Sequence, residues 1–245
     1  MNALRIIKSL GPIDATSVRR DPLLRWIVAL PLLIALLVRF FLPVIIGRLE
    51  NTLHFSFGDF YQAIAGYALL ITAPVMCGMV IGFLLLDERD DRTLLALRVT
   101  PLPPGGYMAW RLSLPMLLSV AVTLAAYRLA GLSQPGIPEL LVCALATAPF
   151  APLVALALAV FAQNKVQGFA LVKASSVFQM APLVAYFVRA EWLPAFWIFP
   201  TYWPAKLLWT LQTEGGDAWR YLAVGLAYQL LLLYILLRRF NRLAA

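Results

Sequence analysis

Charge is scarce in this chain. Only 13% of its 245 residues are Asp, Glu, Lys or Arg, and 62% are hydrophobic. A soluble domain is about a quarter charged and about half apolar, so water cannot be the solvent for most of this sequence. Histidine is represented by His54 alone, which excludes a multi-histidine metal site and makes a catalytic triad a poor fit to its loop. The two cysteines, Cys77 and Cys143, each lie inside an apolar run. Their spacing fits no metal motif, and they read as buried thiols. No Gly-rich loop ending in Lys-Ser/Thr is present, so the chain is not expected to hydrolyse ATP itself. The start, "MNALRIIKSLGPIDATSVRRDPLLRW", lacks the short apolar core and small-residue cleavage site of a signal peptide.

What the chain has in abundance is long apolar runs. A membrane-spanning helix needs roughly 20 mostly apolar residues. Trp26–Ile46, Phe60–Leu86, Leu112–Gly131, Glu139–Ala162, Gly168–Val188 and Trp219–Leu237 each meet that requirement. The expected fold is an all-α integral membrane protein with six transmembrane helices in one domain, 1–245. The formal net charge of +8 is read through topology rather than nucleic-acid binding. Arg5, Lys8, Arg19, Arg20, Arg25, Arg89, Arg92, Arg98, Arg111, Lys165, Lys173, Arg238, Arg239 and Arg242 fall toward one side. Arg48, Arg189, Lys206 and Arg220 fall on the other. Basic residues mark cytoplasmic loops, so both termini are expected in the cytoplasm and the protein in the plasma (inner) membrane.

Three segments outside the spans carry pattern. Residues 1–25 interleave Leu4, Ile6, Ile7, Leu10 and Ile13 with Arg5 and Lys8, which suits an interfacial helix lying on the membrane. Gly11 and Pro12 are expected to break it, and Asp21 with Pro22 to open the next helix. Residues 189–218 are external and aromatic, with Trp192, Trp197, Tyr202, Trp203 and Trp209 interrupted by Pro194, Pro200 and Pro204. Tryptophan and tyrosine favour the membrane interface, and a re-entrant or interfacial piece before the sixth span satisfies both signals. Within the spans, Arg128 snorkels to the outer interface. Arg39 is expected to face the bundle interior or a lipid head group, because charge in the bilayer is costly. Arg39, Trp197, Tyr202 and Trp203 are the candidates for the pathway or for lipid contact.

The third segment, 87–111, begins "DERDDRTLLALRVTP". Asp90 or Asp91 suits the N-cap of a helix starting near Arg92 or Thr93. Leu94, Leu97 and Arg98 then share a face. Pro101, Pro103 and Pro104 end the helix, and Gly105 and Gly106 turn the chain back toward the membrane. An exposed row of Leu94, Leu95, Leu97 and Val99 calls for a groove on another protein or the membrane surface. Clustered carboxylates also suit a divalent cation, which leaves a membrane-embedded metal-dependent transferase using Asp87–Asp91 as an alternative. That reading lacks a second acidic cluster opposite the first, and Arg89 and Arg92 neutralise the one present. A non-transporting scaffold is a further alternative.

From Leu84 to Arg111 the sequence "LLLDERDDRTLLALRVTPLPPGGYMAWR" resembles the ABC-2 type permeases, the transmembrane subunits of ATP-binding cassette exporters. The family pattern is an acidic cluster, Thr-Leu, a leucine-rich turn, Thr-Pro, then a Tyr and an Arg opening the third span. Asp87, Glu88, Asp90, Asp91, Thr93, Leu94, Thr100, Pro101, Tyr107 and Arg111 match it. Arg92 stands where many relatives have Gly. The resemblance implies a coupling helix after the second span, docked in a cleft of a cytoplasmic ATPase through Asp87, Glu88, Asp90, Asp91, Arg92, Thr93, Leu94, Leu97, Arg98, Thr100 and Pro101. The short turn at Gln163, Asn164 and Lys165 would be a second contact. It further implies a second permease copy or paralogue as partner, ATP and Mg held by the ATPase rather than this chain, and no metal site here. The apolar spans favour a lipophilic cargo such as a drug or lipid.

Overall fold

The computed structural model describes residues 3–54, 56–90, 104–133, 135–213 and 216–243. Six candidate spans run Pro22–Thr52, Phe60–Arg89, Gly106–Ala130, Ile137–Phe161, Lys165–Phe187 and Ala218–Arg242, one for each apolar run in the sequence. Among the described residues there is no strand. With an even number of spans, the segments near residues 20, 90, 104, 163 and 243 gather at one end of the bundle, here the basic end. The turns near 54, 133 and 188–217 form the far end.

Helix α1 (Ala3–Arg20) precedes the spans. It is continuous through Gly11 and Pro12, where a break was expected. A proline removes one helical hydrogen bond, its own N–H to the carbonyl four residues earlier, without always ending a helix. The Asp21 carboxylate caps α2 (Pro22–Phe40) by accepting from Leu23 N at 2.9 Å, with Pro22 in the first turn. The first span continues into α3 (Leu42–Leu53). The junction falls at Phe41, where Pro43 has no N–H to carry the ladder forward.

The second span is α4 (Gly58–Asp90), 33 residues long. At 1.5 Å per residue it extends about 50 Å, well beyond the roughly 30 Å hydrocarbon layer. Asp87 and Glu88 therefore ride on the last turn of a spanning helix, not in a loop. The third span, α5 (Pro104–Ala130), starts with Pro104 at its first position. Gly105 and Gly106 thus lie inside a helix, not in the expected turn, because proline preorganises helical φ at that position. The fourth span is divided into α6 (Ile137–Thr147) and α7 (Phe150–Phe161) at Ala148 and Pro149. Gln229 of the sixth span, fully buried, donates from Nε2 to the Ala146 carbonyl beside this break at 3.1 Å. The fifth span is α8 (Lys165–Phe187), followed by a 3-10 turn (Ala190–Ile198), α9 (Tyr202–Gln212) and the sixth span α10 (Ala218–Leu243).

The core is built around α4 and the fourth span. Of their most apolar stretches 83% and 72% are buried, against no more than 28% for any other span. Between lipid-exposed helices packing rests on close backbone approach at small residues. Gly78 and Gly82 of α4 supply it: a Cβ on Gly78 would lie 2.3 Å from the Ala151 carbonyl oxygen, and one on Gly82 2.7 Å from Leu158 Cδ1. Span α8 stands apart from this core, with Val177, Phe178 and Phe187 exposed.

Candidate functional site

Carboxylates at a helix C-terminus oppose the helix dipole, so the acidic end of α4 requires cations. Arg111, one turn into α5 from Tyr107, provides one and is only 2% exposed. Its Nη1 pairs with Asp14 Oδ1 of α1 at 2.8 Å, and its Nη2 pairs with Glu88. Its Nε donates to Tyr107 Oη at 3.1 Å, and the guanidinium lies 5.4 Å from the Tyr107 ring centre. Tyr107 Oη donates in turn to Glu88. Trp110 Nε1 donates to Asp14 Oδ2 at 3.0 Å. One guanidinium thus joins α1, the end of the second span and the start of the third. Buried ion pairs are retained only where hydrogen bonds satisfy the remaining lone pairs, and Tyr107 and Trp110 meet that condition.

A second, wetter network lies beside the first. Lys165 Nζ is 2.9 Å from Asp87 Oδ2 and 2.9 Å from Asp21 Oδ2, linking the ends of α4 and α8 to the cap of α2. Hydrogen bonding from Lys165 holds the Asp21 carboxyl below its ordinary pKa, against the opposing effect of desolvation. Arg89 donates to the carbonyls of Ala159, Ala162 and Gln163 at 3.3, 3.1 and 2.8 Å, and so caps the C-terminal end of α7. Asn164 Oδ1 accepts from Gln167 N at 2.9 Å, and Gln167 Oε1 accepts from Gln163 N at 2.9 Å. The expected second contact at Gln163, Asn164 and Lys165 is therefore an internally ordered turn, with Gln163 and Asn164 exposed.

Of the residues expected to dock a partner, Asp87 and Glu88 are held by these intramolecular pairs, and only the backbone of Asp90 is described. Asp91, Arg92, Thr93, Leu94, Leu97, Arg98, Thr100 and Pro101, and with them the coupling helix, lie outside the described residues. Among the described residues no group of three or more His, Cys, Asp or Glu could hold a metal ion. Sequence reasoning had not given a role to Asp14 or Trp110. The available signal was that Asp14 is the single acid within the basic amphipathic stretch of α1.

At the far end the aromatic residues divide in two. Trp192 and Trp197 are exposed, whereas Tyr202, Trp203 and Trp209 are buried in the bundle. Trp203 Nε1 donates to the Trp197 carbonyl at 3.2 Å, and Trp209 Nε1 to the Ala63 carbonyl of α4 at 3.2 Å. Phe199 stacks on Phe178 of α8 with ring centres 5.9 Å apart, so the segment re-enters the bundle beside the fifth span. Arg39 is exposed, not turned to the bundle interior. Its Nη1 donates to the Leu129 carbonyl at 3.2 Å, one of the free carbonyls at the C-terminus of α5, where a cation is favoured.

A six-span all-helical bundle with a charge cluster clamping its basic end is the fold of an integral membrane protein. The chain belongs to the family described as Fluoroquinolones export permease protein Rv2686c-like, whose profile matches residues 14–237. It is therefore a permease of an exporter. It is 31% identical over 239 residues, 97% of this chain and 94% of the relative, to the Fluoroquinolones export permease protein Rv2686c of Mycobacterium tuberculosis strain H37Rv. The same figures hold for the Fluoroquinolones export permease protein MT2760 of strain CDC 1551. No solved structure matches the chain.

Proposed function

We propose that this chain is an ABC-2 type permease that exports a lipophilic substrate, driven by ATP hydrolysed on a separate cytoplasmic ATPase. In this reading the ATPase carries ATP and Mg, both termini are cytoplasmic, and two permeases work as a pair. Segment 91–103 docks the ATPase through Leu94 and Leu97. The carrying observation is the buried Asp14–Arg111–Glu88 cluster. It ties both flanks of that segment, the end of α4 and the start of α5, to each other and to α1. A displacement of the docked segment is then passed to the second and third spans together, because a closely packed, ion-paired junction moves as a unit. The relatives' names favour a fluoroquinolone-like cargo, a flat aromatic body bearing a carboxylate.

The docking assignment is tested by the double variant Leu94→Asp/Leu97→Asp. It is expected to release the co-purifying ATPase while the permease still elutes as a folded species in detergent. Retained binding with normal stimulated hydrolysis contradicts the assignment.

A further inference from the structure

A cavity of about 390 Å³ lies where α8 stands off from α7 and α10. Its walls are apolar, with Leu153, Ala157 and Phe161 from α7, Phe178 from α8, and Ile235 and Leu236 from α10. Phe161, Phe178 and Ile235 are each more than half exposed, so the cavity opens sideways between the fifth and sixth spans, toward lipid. The polar side chains that touch it are few, and Ser175 and Gln179 make hydrogen bonds within α8, Ser175 Oγ donating to the Val172 carbonyl at 2.9 Å and Gln179 Nε2 to Ser175 Oγ at 3.4 Å. The rim at the basic end carries a cation. The Arg239 guanidinium lies 4.8 Å from the centre of the Phe161 ring, and no acidic partner accompanies it among the described residues.

An apolar slot open toward lipid, with a guanidinium beside the Phe161 ring that lines it, is complementary to an apolar body with an anionic end. We propose that it is a lateral entry site for an anionic amphiphile, an apolar body bearing one carboxylate or phosphate, taken from the leaflet at the basic end. The apolar body fills the slot, where burial of apolar area drives binding. The anionic head pairs with Arg239, which remains stacked on Phe161. Two sources share this chemistry: a carboxylate-bearing aromatic drug and an anionic phospholipid. The drug arm rests on the proposed export function, whereas the site itself does not.

The test uses the purified chain in neutral phosphatidylcholine nanodiscs, with a fluoroquinolone, its carboxyl methyl ester and phosphatidylglycerol as probes. Binding is read by fluorescence for the drug pair and by retained lipid in native mass spectrometry. The free carboxylate is expected to bind roughly three- to fivefold more tightly than the ester, the scale of a partly exposed ion pair, and Arg239→Gln should erase that preference. Ala157→Trp should weaken every probe by at least roughly tenfold by filling the apolar slot. Ile235→Trp at the exposed rim serves the same purpose should Ala157→Trp fail to fold. Retention of phosphatidylglycerol that depends on Arg239 and the slot, with no drug binding, upholds the site and defeats the drug reading. Unchanged binding in all three variants overturns the site. So does cross-linking of Phe178→Cys between two copies with no probe bound, since a second copy would then cover the slot.

Discussion

Replacing Arg111 with methionine is expected to be the most damaging single change at the basic end. Methionine retains much of the stem volume and removes the charge. Asp14 and Glu88 are then left facing each other with no cation between them, and Asp14 is only 6% exposed. Removing one partner of a buried ion pair costs about 3–5 kcal/mol, most of it from the uncompensated charge. For a chain of this size each kcal/mol moves the melting temperature by about 2–4 °C, so the loss is about 6–20 °C. Thermal unfolding followed by size-exclusion chromatography in detergent reads it directly. The triple variant Asp14→Asn/Glu88→Gln/Arg111→Met separates charge from packing. If stranded carboxylates cause the damage, neutralising them restores most of the lost stability, a departure from additivity expected of groups in one network. An Arg111→Met protein melting within about 2 °C of the parent, or a triple variant no better than the single one, would show that stranded carboxylates are not what the cluster guards against.

Gly78→Ala should destabilise the chain by about 1–3 kcal/mol, the usual cost of overpacking, because its Cβ would meet the Ala151 carbonyl at 2.3 Å; the same melting assay reads it. Arg39→Leu should cost only about 0.3–1 kcal/mol, the scale of a cation at an exposed helix C-terminus, with assembly unchanged by chromatography. Asp21 has a lowered carboxyl pKa in the folded chain, so its contribution is present above the ordinary carboxylate pKa and is lost as pH falls through the lowered value. Asp21→Asn should accordingly flatten the fall in melting temperature between pH 5 and pH 3.

The spans were legible in the sequence because lipid imposes a length and an apolarity that few residues can violate. Their ends were less so. The sequence marks where apolarity stops, at Leu86, but α4 continues to Asp90, since cations from distant parts of the chain neutralise its acidic last turn. Those cations, Arg111 and Lys165, and Asp14, which shares Arg111, are far apart in sequence, and no periodicity encodes such pairings. Tyr107 and Arg111 emerged from the family resemblance, and the structure shows what they hold. The burial of Tyr202, Trp203 and Trp209 was hidden for a related reason: an interfacial belt and a re-entrant segment have the same composition. Arg39 read as a costly intramembrane charge because it was placed within a straight span. The break at Phe41 and the free carbonyl of Leu129 give it a partner at the far end.

In the proposed mechanism, ATP hydrolysis on a separate subunit reaches this permease through segment 91–103. The decisive measurement is uptake of a fluoroquinolone into inside-out vesicles that contain the chain and the ATPase expected to co-purify with it. Uptake is expected to require ATP and to be lost in Leu94→Asp/Leu97→Asp at an unchanged level of permease in the membrane. ATP-driven uptake of parental size in that variant would contradict it.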